Sequence, residues 1–475
     1  MKVNTLFIPL GLFTILACTL ALAILVTPMN FIIFQAVMLG GLLLFYFLFK
    51  DITNVLIVWL LSLLFILFSK FSLGIDMPNI SIDRTIWSLM IIYYLFHLLV
   101  LRRVSMSGRV TEILMISLCA LAIFSIIRMK GISFSREILD AYSLLFNIYI
   151  VPFSVYLIAK DLIQEEQRIR KLFIFLSVVL LYISLTAIFE HFRLSAFVFP
   201  RGIMNPRIGI HFGRARGPFL QAAINGTVLG MLSIINLYMA INTRYPYKIF
   251  FIIVSFLSPI AILFTYTRAA WLAMMASFMF LVFINRRFRM YIGVLILLCA
   301  ALMAPLHSKM VDMEALASRA YSMSPIYDRI NLYRTYLAMF SHRPILGFGF
   351  ANFNYCSQEY FSKIKNDPYN VDIPEIHDTF SGTLVELGGM GLIVFLSVLM
   401  SIFWMSIRLF GGLKEKGFLG RGFIVAFWGI ALAYLLNAFF IDMKNHQFQN
   451  VIFYLVAGVI AGLYQREIKD ERPCE

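Results

Sequence analysis

Apolar runs, most of them 16 to 23 residues long, follow one another along almost the whole chain. They lie near 5–26, 30–49, 53–69, 85–101, 110–127, 144–159, 172–190, 218–240, 249–265, 269–285, 290–306, 379–407, 422–441 and 447–465. About 20 apolar residues in a helix cross ~30 Å of hydrocarbon. The runs are continuous rather than alternating, which predicts helices and not a β-barrel. Polar residues gather between the runs, in two long outer segments above all, 191–217 and 307–378. The pattern predicts an all-α, polytopic membrane bundle of about 12–14 transmembrane helices. One large loop, with short helices of its own, stands outside the bundle. The chain divides into N-terminal helices (1–190), central helices with an arginine-rich loop (191–306), the large loop (307–378), and C-terminal helices with a short tail (379–475).

Composition supports this reading. Hydrophobic residues make up 61% of the 475 residues and charged residues 14%, against about 25% charged in soluble domains. Mean hydropathy is +0.86. The net charge of +15 would suggest nucleic acid as a partner of a soluble protein. Here the positive-inside rule accounts for much of it, and no nucleic-acid partner is expected. Five cysteines are scattered, and Cys18, Cys119 and Cys299 fall within apolar runs, as small core hydrophobes do. No metal-ligand spacing occurs. Residues 1–26 are read as an uncleaved first span, although Ala-Leu-Ala at 21–23 has the look of a cleavage site.

Lysines and arginines set the orientation. With both termini cytoplasmic, 21 of the 40 fall on the inner side, and 12 of the rest lie in the two long segments. The remaining loops then show 21 inside against 7 outside, the bias the rule requires. The two long segments therefore need another explanation.

Segment 191–217 holds Arg193, Arg201, Arg207, Arg214 and Arg216 and no acid. Such a cluster is either a collar for anionic membrane lipids or a site for a polyanion, to which the planar guanidinium fork is suited. Arg268 is the single charged residue of 249–285. One membrane crossing lies on either side of it, so it belongs in a very tight outer turn. There it either snorkels to the interface or faces an outward-open cavity and awaits an anion. In the large loop, Ile326, Ile330, Tyr333, Leu337 and Phe340 recur at helical spacing. This predicts an amphipathic helix that lies on the membrane or lids a cavity. Pro344 stops it, and Gly347 and Gly349 make the turn that follows.

The loop ends in Glu375, His377 and Asp378, at the mouth of a long apolar run. Asp378 is expected to cap the helix. His377 is either an ordinary helix-end residue or a base, since a neutral imidazole is the usual general base near pH 7. Asp76 and Asp83 are read as solvated acids of the second outer loop.

The ordered pieces RGPF (216–219), TYTRAAW (265–271), DRINLYRTYLAMFSHRPILGFGFANF (328–353) and HDTFSGTLVELGGMGL (377–392) resemble the O-antigen ligase and polymerase superfamily of bacterial membrane glycosyltransferases. The likeness covers roughly residues 200–400. It implies a GT-C-like fold in the cytoplasmic (inner) membrane with an extracytoplasmic active site. The implied donor is an undecaprenyl-diphosphate-linked glycan, and the acceptor is another glycan or the lipid A core. No metal, cofactor or nucleotide sugar is implied. Polysaccharide-assembly proteins are further candidate partners. By the resemblance His377 is the base for the acceptor hydroxyl, and Arg216 and Arg268 hold the carrier diphosphate. Arg329 matches the arginine that opens the loop helix. Arg214 joins the binding set by proximity to Arg216, and Arg343 and Asp378 as further substrate-binding candidates. The family's histidine is often followed by Asn, where this chain has Asp378. Rival readings are transport of a lipid-linked sugar or small anion, and a scaffold for an assembly complex. Polymerase is favoured over ligase, because a polymerase must hold two charged carriers and the outer arginines are numerous.

Overall fold

The computed structural model describes residues 51–65, 82–101, 109–129, 136–303, 324–361, 376–415 and 417–471. All regular structure among them is helical. The first two expected spans lie outside the described residues. Eight described helices are long and apolar enough to cross a membrane, and three shorter apolar ones accompany them.

The chain divides into two compact units, 1–101 and 102–475. In the first, α1 (Ile52–Leu64) packs against α2 (Ile82–Leu101). Asp51 caps α1 by accepting from the Thr53 amide at 3.1 Å. Trp59 donates its indole N–H to the Asp83 carbonyl at 3.1 Å. Asp83 is thus not a solvated loop acid. It sits in the first turn of α2 and is buried, because the helix begins earlier than the apolar run suggests. Asp76 lies outside the described residues.

The second unit runs through α3 (Arg109–Ile127), α4 (Arg136–Leu145), α5 (Val151–Leu162), α6 (Glu166–His191), α7 (Ala222–Asn242), α8 (Lys248–Phe264), α9 (Arg268–Ile284), α10 (Arg286–Met303), α11 (Ser324–His342), α12 (Phe353–Tyr360), α13 (Thr379–Gly412), α14 (Arg421–Ala438) and α15 (Gln447–Glu471). A π-helical turn, Phe146–Ile150, joins α4 to α5 just ahead of Pro152. Proline lacks an amide hydrogen and its ring strikes the carbonyl four residues back, and the wider turn relieves both. Helix α7 is buried on nearly every side, between α6, α8, α9 and α14. Its polar Asn236 turns its side-chain nitrogen into the bundle, donating to the Phe251 carbonyl at 2.9 Å and Ser255 Oγ at 2.7 Å. Helices α5 and α15 approach closely at Gly458 and Gly462. A Cβ at either position would lie 2.4 Å from a carbonyl oxygen, of Tyr156 or Lys160 respectively. Small residues at such spacing let spans pack where the lipid supplies no hydrophobic drive.

Helix α13 holds the feature that positions the site. Gly388 has φ 71° and ψ −175°, which breaks the helix. The rings of Phe380 and Phe395 lie 6.0 Å apart, whereas fifteen residues of straight helix would separate them by about 22 Å. Segment 379–387 therefore turns back as a half-helix, and 389–412 remains as the span. The break frees backbone groups, and loop 344–349 takes them up. Phe348 and Gly349 amides donate to the Val385 and Glu386 carbonyls at 3.0 and 2.9 Å. Gly389 and Met390 amides donate to the Pro344 and Ile345 carbonyls at 2.7 and 3.3 Å. Arg128 clamps the loop from the other side, its Nη2 donating to the Leu346 and Gly347 carbonyls at 3.0 and 2.8 Å.

The predicted loop helix is present as α11, but it buries a different face. Leu332, Tyr336 and Met339 form a cluster with Phe348, Phe353 and Val385, while Ile330, Tyr333 and Leu337 are exposed. The half-helix of α13 selects the buried face. It needs residues that can reach Val385, and those lie beside the apolar stripe. The Ile326 side chain lies outside the described residues.

Gly388→Ala should destabilise the protein by at least ~2 kcal/mol, since it combines left-handed strain with a Cβ 2.2 Å from the Ile345 carbonyl oxygen. Gly411→Ala, where a Cβ meets nothing within 4 Å, should be neutral. Thermal unfolding of the purified variants checks both.

Candidate functional site

The half-helix 379–387 begins at a capped N-terminus. Asp378 accepts from the Ser381 amide at 2.6 Å, as the sequence predicts. Asp378 is buried, and burial raises its carboxyl pKa against the opposing hydrogen bonds from Ser381 and the charge of Lys444. His377 precedes it and is exposed. Its amide donates to the hydroxyl oxygen of buried Tyr336 on α11 at 3.3 Å.

Two arginines share this end of the half-helix. Arg268 opens α9, is exposed, and is separated from the end of α8 by residues 265–267 alone, the tight turn expected. Arg329 lies in α11, half-buried, with its guanidinium carbon 4.8 Å from the Phe440 ring centroid. Burial lowers the Arg329 pKa, and the Arg268 charge lowers it further, while Tyr333 and Asp378 act against the change. The structure thus brings Arg268, Arg329, Tyr333 and Asp378 into one electrostatic neighbourhood, with His377 at its edge. Glu375 lies outside the described residues.

The other candidate residues are placed differently. Arg216 is fully buried. Its Nη1 donates to the Ile208 carbonyl at 2.7 Å, and its Nη2 to Ile203 and Asn205 carbonyls at 2.6 and 3.1 Å. Glu190 faces it, with Oε1 3.6 Å from Nε. The Glu190 Oε2 also accepts from the Arg216 and Gly217 amides at 2.8 and 3.0 Å. An acid from the preceding helix therefore compensates an arginine that looks uncompensated within 191–217. Arg216 orders the loop around itself, and Phe219 carries the same segment to Phe448 at the start of α15, 5.5 Å between centroids. Arg214 is half-buried two residues before it. Arg343 is exposed just past the far end of α11, its guanidinium carbon 4.9 Å from the Phe348 ring centroid. Fourteen residues separate it from Arg329, about 20 Å of helix, so it does not join the His377 group.

Sequence reasoning missed a buried charge network beneath the half-helix. Lys444 pairs with Glu386 at 2.6 Å, both almost wholly buried. Asp442 accepts from the Lys444 amide at 3.1 Å. Burial, with Glu386 and Asp378 nearby, pushes the Asp442 carboxyl up to about 6. Thr379 ties the half-helix to the same turn, donating to the Ile441 carbonyl at 3.1 Å and accepting from the Met443 amide at 3.0 Å. A second imidazole, His446, ends this turn, and burial lowers its pKa to about 4. The available signal was Glu386 itself, a lone charge in an apolar run, since such residues are costly and face protein interiors.

Residues 253–396 match the Wzy_C family, described as O-antigen ligase. The match contains Arg268, Arg329, Arg343, His377 and Asp378, and the whole docking of loop 344–349 on α13. It does not contain Arg214 or Arg216. No curated protein matches the chain.

Asp442 has a folded pKa raised above its unfolded value, so its contribution to stability is complete below about pH 4 and is lost as pH rises through about 6. Asp442→Asn should therefore raise the unfolding temperature at pH 7.5, and the gain should vanish towards pH 4. Unfolding scans at the two pH values test this. Lys444→Met should cost about 3–5 kcal/mol by leaving Glu386 buried and unpaired. Adding Glu386→Gln should recover much of that loss in the same scans.

Proposed function

We propose, for a chain that carries an O-antigen ligase family domain over residues 253–396 and is therefore a membrane glycosyltransferase, that it transfers a glycan from undecaprenyl diphosphate to a sugar acceptor at the outer leaflet. The observation that carries this reading is the meeting of Arg268, Arg329 and Tyr333 with His377 and Asp378 at the N-terminal end of the half-helix.

The roles follow from charge. An acceptor hydroxyl attacks the anomeric carbon while the bond from that carbon to the diphosphate oxygen breaks. The hydroxyl proton passes to His377. The lipid diphosphate leaves with the bonding electron pair, and Arg268 and Arg329 stabilise its growing negative charge. Fixed guanidinium groups supply this stabilisation without a metal ion. A direct displacement inverts the anomeric centre. Tyr336 positions the His377 backbone, and Asp378 holds the start of the half-helix.

Arg216 takes a positioning role in this scheme, in place of direct contact with the diphosphate. Its guanidinium hydrogens serve the loop carbonyls, and it shapes the segment that presents Arg214. The positive-inside bias supports cytoplasmic termini, with this end of the bundle on the extracytoplasmic side. Polymerisation is favoured over ligation to the lipid A core by the further arginines outside the donor site.

Complementation of a deletion strain tests the reading. His377→Ala and Arg268→Ala should each fail to restore envelope glycan at normal membrane expression, with carrier-linked glycan accumulating. Arg216→Ala should lower the amount of folded protein as well. Single repeat units on the carrier mark a lost polymerase, and long unattached chains mark a lost ligase. Full rescue by both His377→Ala and Arg268→Ala would rule out this site.

A further inference from the structure

A cationic cavity lies at the far end of α11, and the chemistry above does not use it. Its volume is about 630 Å³, and Ser125, Arg128, Arg343, Asn352 and Cys356 line it together with loop 344–348. Arg128 spends Nη2 on the Leu346 and Gly347 carbonyls, which fixes its guanidinium on the cavity wall. Arg343 is exposed where α11 runs into the same loop, and lies over Phe348. Among the described residues no carboxylate lines the cavity. Two permanent cations without an acid favour a phosphate group: the Arg343 fork can bind it through paired hydrogen bonds, and Arg128 adds its charge and its remaining N–H groups.

The position of the cavity matters as much as its charge. Helix α11 carries Arg329 near its start and leads to Arg343 just beyond its end, about 20 Å apart along the helix. The half-helix 379–387 packs along α11, with His377 at one end and the Val385–Phe348 contact at the other. A phosphate held by Arg128 and Arg343 is therefore one short oligosaccharide away from His377. The break at Gly388 holds this spacing fixed, because the same loop forms the cavity wall and locks the half-helix.

We propose that this cavity holds the phosphate of the acceptor, a second membrane-anchored phosphorylated glycolipid whose sugar end reaches His377. The proposal rests on the transferase reading and names its acceptor site. Two sources share this chemistry, a carrier diphosphate bearing one repeat unit and a phosphorylated lipid A core.

Native mass spectrometry of the full-length protein in lipid nanodiscs tests the site, with undecaprenyl diphosphate and lipid A as probes. The wild type should take up one probe molecule more than Arg343→Glu, whose affinity at the cavity should fall at least tenfold, roughly the worth of one charge-assisted contact. Arg343→Lys should fall between the two. Arg343 is exposed, so these variants should keep the fold, and an unchanged unfolding temperature confirms it. An extra molecule of undecaprenyl diphosphate identifies the carrier as the source, and an extra molecule of lipid A identifies the core. Equal uptake of both probes by wild type and Arg343→Glu overturns the acceptor site. The donor site is read separately through Arg268→Ala with Arg329→Ala. If that pair leaves undecaprenyl diphosphate uptake unchanged, the transferase site is at fault and not the acceptor cavity.

Discussion

The broken backbone of α13 organises this end of the molecule. A helix that stops in the middle leaves amides and carbonyls without partners, and in a low-dielectric setting each costs several kcal/mol. Loop 344–349 supplies those partners in two reciprocal pairs of hydrogen bonds. The glycines make the approach possible. Gly388 takes the left-handed turn, and Gly347 lets the loop backbone come against the Val385 and Glu386 carbonyls. Once the loop is docked, the start of α13, the end of α11 and the tip of α3 are held relative to one another. His377, Arg128 and Arg343 sit on those three pieces.

The charges divide into two kinds. Glu386 with Lys444, and Glu190 with Arg216, are buried and paired within the protein. Such pairs are strongly destabilising to break and contribute little beyond an apolar replacement, so their use is to fix geometry. The first pair holds the half-helix against the turn before α15, and the second holds the loop between α6 and α7. Arg268 and Arg343 are exposed instead. In the proposed mechanism the exposed arginines meet the substrate, and the buried pairs keep the backbone around them from moving. Electrostatic catalysis depends on that rigidity, since donors already in place need no reorganisation as charge develops.

A surface-bound α11 fits the same scheme. Its inner face packs on the half-helix, while Ile330, Tyr333 and Leu337 remain exposed. An apolar stripe on a helix beside the bundle suits the headgroup region of a bilayer.

Much of the site was legible in the sequence wherever the cause was local. The spans, the tight turn at Arg268, the helix of the large loop and the Asp378 cap each follow from a few neighbouring residues. The resemblance grouped Arg216 and Arg268 with His377, and matched Arg329 to the arginine that opens the loop helix. Other features depended on partners far along the chain and could not be read that way. Arg216 looked uncompensated because Glu190 lies in the preceding span. The buried face of α11 was set by Val385, and the fate of the Pro344–Gly349 turn by a break in a helix forty residues later. Periodicity reports which residues avoid water, and in a membrane protein both lipid and protein interior satisfy that demand. Sequence alone thus determined which segments are helical and which carry charge. The tertiary structure decided which charges are spent on the fold and which remain for a ligand, because only packing determines where a polar group finds its partner.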